Sequence, residues 1–148
     1  MLNTSCETGD YQCRRNDKIT KLGVDSLCNI LNNKFAKAKE RCHFKITKNN
    51  ILEIRNEKGY IWYTNICNID CQSFTYTIWS EEKATIGINI IDNAKKVNVK
   101  DDSGKIYVKN HYESLDFAVK PAKLFDEVKD PLCDLLCKIQ TLKTDCEK

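Results

Sequence analysis

Along this chain the spacing of apolar residues changes twice, from a helical period to a strand period and back. Between Asp25 and Cys42 the positions Leu27, Ile30, Leu31, Phe35, Ala38 and Cys42 recur at three- and four-residue steps, with Lys34, Lys37, Lys39 and Arg41 largely elsewhere. That is the stripe of an amphipathic helix, for which Asp25 or Ser26 is the expected cap. From His43 the period becomes two. Phe44 and Ile46, Leu52 and Ile54, then Tyr60, Trp62, Thr64 and Ile66 alternate with polar neighbours, separated by Asn49-Asn50 and by Asn56-Glu57-Lys58-Gly59. Such residues tolerate turn geometry, so the pattern predicts strands joined by tight turns. The alternation continues through Phe74, Tyr76 and Ile78, then Ile86 to Ile90, Val97 and Val99, Ile106 and Val108, and Leu115 to Val119.

After Pro121 the helical period returns. Leu124, Phe125 and Val128 fit one or two turns; Asp130-Pro131 then reads as a helix start, followed by Leu132, Leu135, Leu136, Ile139 and Leu142. Short alternating strands without long helical crossovers predict an antiparallel meander. The expected fold is therefore α+β: about six to eight strands in a sheet, one face covered by two helices, crosslinked by disulfides. One domain spans 1–148, with a polar N-terminal arm (1–18), a helical region (19–42), the sheet (43–119) and a C-terminal helical segment (121–146).

Composition supports one folded unit. A chain of 148 residues buries roughly 70 % of its unfolded surface, enough for a core without crosslinks. With 41 % apolar residues, five glycines and two prolines, it is neither disordered nor low-complexity. Nine cysteines, at 6, 13, 28, 42, 67, 71, 133, 137 and 146, change the picture: a chain that does not need crosslinks but carries this many thiols suggests an oxidising compartment. The chain is accordingly expected to be secreted or lumenal, shown here without its signal peptide, and Asn3-Thr4-Ser5 fits a glycosylation sequon. Cys6 and Cys13 are expected to tie down the N-terminal arm as the partners of Cys133 and Cys137. Cys28 and Cys42 lie too far apart on one helix to bridge, and Cys133 and Cys137 should reach separate partners. An odd count leaves one cysteine for an intermolecular bond, with Cys146 at the chain end the candidate.

Chemistry is sparse. His43 and His111 are the only histidines, so a hydrolase or nuclease reading would have to use one of them, and a Cys42–histidine pair needs the fold to join their segments. Cysteine spacings do not match zinc motifs, Asp101-Asp102 lacks calcium-loop spacing, and no glycine string cradles phosphate, so no metal or cofactor is expected. A net charge of +3 from 24 basic and 21 acidic residues disfavours nucleic acid, although Lys34, Lys37 and Arg41 give the first helix a basic face suited to an anionic glycan. No stretch is long and apolar enough to span a bilayer. The aromatic residues Tyr60, Trp62, Tyr63, Phe74, Tyr76 and Trp79 are the candidate binding surface. The favoured function is a non-catalytic secreted domain that binds another protein. Alternatives are a carrier of lipid or a small apolar molecule, a small hydrolase, and an anionic-glycan binder.

Overall fold

The computed structural model describes residues 6–14 and 21–146; Asn3 and the start of the 19–42 helical region lie outside the described residues. The described residues form an α+β fold, with two α-helices and nine strands in two antiparallel sheets. The strands are β1 (Glu7–Gln12), β2 (His43–Ile46), β3 (Ile51–Arg55), β4 (Ile61–Asn65), β5 (Ser73–Ile78), β6 (Ala84–Asn89), β7 (Val97–Lys100), β8 (Ile106–Tyr112) and β9 (Ser114–Val119). The helices are α1 (Val24–Phe35) and α2 (Phe125–Leu142).

One meander was expected, and the chain instead deals its strands between two sheets. The first has the order β1-β5-β6-β9, the second β2-β3-β4-β7-β8. Strand alternation shows which side chains point inward but not which strand lies next door, so the split leaves no periodic trace. The crossings are pinned by backbone hydrogen bonds. Ile69 and Ile90, both buried, form an isolated antiparallel bridge, Asp70 N–H donates to the Asn89 carbonyl, and Ile90 N–H donates to that of Glu113.

Both sheets turn their apolar sides to the same core. Phe44, Ile46, Leu52 and Ile54 come from one sheet, and Phe74, Ile86, Ile88, Leu115 and Phe117 from the other. The rings of Phe35, Phe44 and Phe117, with centroids 5.2–6.0 Å apart, join α1 to a strand of each sheet. Seven buried side chains from α2, from Phe125 to Ile139, complete the cluster, and α1 packs against α2.

Local corrections have local causes. Helix α1 ends at Phe35 rather than Cys42 because Asn32 grips the next strand: its Oδ1 accepts from Phe44 N–H at 2.7 Å and its Nδ2 donates to the Phe44 carbonyl at 3.0 Å. The chain must turn back over residues 36–42 to present Phe44 there. Neither Asp25 nor Ser26 caps α1; Gly23 occupies that position without a side-chain bond. Pro131 lies inside α2 rather than at its start. Its ring removes the hydrogen bond to the carbonyl of Glu127, an exposed residue, while Phe125 and Val128 continue the buried stripe upstream.

The N-terminal arm contains an edge strand, β1, paired along β5. It is tied down by Cys13–Cys133, which joins the arm to α2, while the other expected anchor, Cys6, forms no disulfide. Cys67–Cys146 is the second disulfide, so Cys146 is not available for an intermolecular bond. The turn after α2 folds inward, and the Lys143 ammonium donates to the Ile69 carbonyl. Cys6, exposed, and Cys28, Cys42 and Cys71, all buried, take no part in these bonds. The Cys137 Sγ donates to the Arg14 carbonyl at 3.6 Å, so Cys133 and Cys137 do meet different groups. Among the described residues no helix is long and apolar enough to cross a membrane.

Candidate functional site

Where β1 and β5 run beside the start of α2, the surface opens into a groove of about 1060 Å³. Strand β5 supplies Tyr76 and Ile78 from its core-facing side, β1 supplies Glu7 and Tyr11, and α2 supplies Phe125, Asp126 and Lys129. The ring of Phe74 is fully buried beneath, 5.3 Å from Tyr11 and 6.2 Å from Phe125, so the apolar wall rests on the core. Tyr76 lies 4.8 Å from Phe125. Its ring crosses β1 over Gly9, where a Cβ would come within 3.1 Å of the Tyr76 hydroxyl and make a tight contact.

Trp79 borders the groove where β5 ends; it is 52 % exposed, and its indole N–H donates to Thr85 Oγ1 at 3.0 Å, which holds the ring on the outer side of the β5–β6 hairpin. The rim carries both charges. Glu81, Glu82 and Asp126 stand with Lys39, Lys123 and Lys129; Lys39 pairs with Glu82 at 3.1 Å, and Lys129 pairs with Asp126 at 3.3 Å while lying over the Tyr11 ring. These pairs are solvent-accessible and contribute little stability. They set the groove's polarity.

The other aromatic candidates do not join this site. Phe74 is core. Trp62 stacks on Tyr112 at 4.7 Å, Tyr60 meets Tyr107 edge-on at 5.5 Å, and Tyr63 lies under the Lys100 ammonium at 4.7 Å, all on the five-stranded sheet. The aromatic candidates Trp62, Phe74, Tyr76 and Trp79 are thus divided between two sheets. Sequence reading also missed Tyr11 and Phe125, which are separated along the chain and meet only through β1. Tyr11 is the single aromatic residue of the polar arm, and that is the available signal.

The catalytic candidates are kept apart. His43 lies on β2 and His111 on β8, the two outer strands of the five-stranded sheet, about 19 Å apart at the usual strand spacing. Cys42 is buried, and burial, followed by the charges of Glu40 and Glu57, pushes its thiol up to about 12, which disfavours the thiolate needed for attack. Lys34 and Lys37 are exposed on and just after α1, while Arg41 pairs with Glu57 at 2.9 Å, so the expected basic face is partly neutralised. No group of three histidine, cysteine or acidic residues able to hold a metal occurs among the described residues.

Comparison with protein-family models, curated proteins and solved structures finds no match to this chain.

Proposed function

We propose that this chain is a secreted, non-catalytic binding domain that recognises another protein through the groove between β5 and α2. The observation that carries the reading is a groove walled by Tyr11, Tyr76 and Phe125 on the core, with the exposed Trp79 on its border. Large rigid rings at a rim of polar groups are what binding hot spots are made of. The mixed charge of the rim favours a polypeptide, which can offer apolar side chains and both charges, over a polyanion or a plain hydrocarbon. Secretion is supported by two disulfides, which persist in oxidising surroundings. The separation of His43 from His111 supports a role without histidine catalysis.

The test is to pan a random peptide library displayed on phage against the purified wild-type chain and against Trp79→Ser. Enriched peptides are expected to carry an aromatic or branched apolar anchor and to lose about tenfold or more in affinity for Trp79→Ser. No enrichment, or peptides indifferent to the substitution, would refute the groove as the recognition site.

A further inference from the structure

We propose that the outer side of the five-stranded sheet carries a second site, for an acidic sugar bearing a carboxylate, sulfate or phosphate. The site is a pocket of about 420 Å³ over the β4–β7 pair, with Tyr63, Asn65, Asn98, Lys95, Lys96 and Asn110 around it. It stands apart from the groove in both sheet and lining, and does not depend on it.

Three observations define its chemistry. First, no carboxylate among the described residues lines the pocket, in a chain with 21 acidic residues. Second, its amides are oriented. A backbone N–H can only donate, so Asn65 must turn Oδ1 to Cys67 N–H, at 2.9 Å, and Asn98 must turn Oδ1 to Asn110 N–H, at 2.7 Å. Each –NH₂ is left as a donor. Asn68 is held the other way, spending its Nδ2 on Thr64 Oγ1 at 3.1 Å and keeping Oδ1 as an acceptor. Third, Lys95 and Lys96 form no ion pair among the described residues, whereas neighbouring Lys100 is paired with Glu53 at 2.9 Å.

Fixed donors and uncompensated ammonium groups fit an oxyanion, because each bond to it is charge-assisted or pre-oriented. The acceptor on Asn68 and the mixed donor–acceptor capacity of Asn110 suit hydroxyl groups beside that anion. The volume holds a single sugar ring, not a polymer strand. A metal ion is disfavoured for want of any acidic ligand.

The experiment titrates ¹⁵N-labelled protein with glucuronate, glucose 6-sulfate and glucose 6-phosphate, with glucose and inorganic sulfate as comparators. The side-chain amide resonances of Asn65 and Asn98 are expected to shift saturably with at least one acidic sugar, about tenfold more tightly than with glucose or sulfate alone. Asn98→Asp keeps the acceptor for Asn110 N–H but replaces the donor by a carboxylate oxygen, and should abolish the shifts at Asn65. The surface pair Lys95→Ala/Lys96→Ala should weaken binding about tenfold, and serves if Asn98→Asp does not fold. No saturable shift with any of the three sugars, a response equal to that of glucose, or a response equal to that of sulfate alone would each overturn the proposal.

Discussion

The Tyr11 hydroxyl donates to Asp130 Oδ1 at 2.7 Å, linking the N-terminal edge strand to the second turn of α2 across the base of the groove. Tyr11→Phe removes this bond and leaves the ring contacts with Phe74 and Phe125. Water competes for both partners, so the expected loss is below about 1 kcal/mol, or roughly 2–4 °C in Tm. The bond to Asp130, then burial, raises the phenol above its ordinary pKa of 10.0. A raised folded value means that the contribution is complete below pH 10 and lost as pH rises through that value. Melting curves of wild type and Tyr11→Phe should therefore converge in alkaline solution.

Removing either disulfide should cost more. Cys13–Cys133 spans 120 residues and Cys67–Cys146 spans 79, and loops of this length give a chain-entropy estimate of about 4 to 5 kcal/mol, with about 2 to 4 typically observed. Cys13→Ser/Cys133→Ser and Cys67→Ser/Cys146→Ser should each lower Tm by about 5–15 °C while far-ultraviolet circular dichroism still reports a folded chain. Melting unchanged by either pair would show that these crosslinks do not form in solution.

Three thiols are expected to stay inert until the fold opens. Burial pushes Cys28 and Cys42 up to about 12, and Cys71 to about 11 against the opposing pull of Lys143, all from 9.0. At pH 8, iodoacetamide followed by mass spectrometry should find Cys6 modified, with Cys28 and Cys42 about a hundredfold slower until urea is added. Folded values above 9.0 also mean that the stability held by these neutral thiols is complete below pH 9 and declines as pH climbs toward 11–12. Cys28→Ala should flatten that alkaline decline.

Gly87 should not tolerate a side chain. It sits in a central strand, where a Cβ would meet Asp116 Oδ1 and Thr75 Oγ1 at 2.8 Å each. Gly87→Ala is expected to destabilise by about 1–3 kcal/mol despite alanine's smaller backbone entropy cost, as read by denaturant midpoint. A midpoint at or above wild type would mean that both polar neighbours move aside freely.

Much of the architecture could be read from periodicity, and the groove could not. The inward residues of β2 to β9 and the stripes of both helices announce themselves because burial follows the local repeat. Strand β1 does not: in Glu7–Gln12 only Gly9 and Tyr11 turn inward, and what holds the strand is a cysteine 120 residues away. Since Tyr11 and Phe125 meet through that strand, the groove inherited its invisibility. Tyr76 and Trp79 were picked out as candidates, but grouped with Trp62 and Tyr60, which the two-sheet split sends elsewhere.

The second half of α2 and the turn beyond it are riveted by sulfur, at Cys133 and Cys146, whereas its opening turns from Phe125 to Leu132 precede the first rivet. The groove thus has one bank of strand, β5 within its sheet, and one of helix, seated on the core by Phe125, Val128 and Leu132 and tied to β1 at Asp130. Both banks are held before anything lodges between them, so docking there orders little of the host.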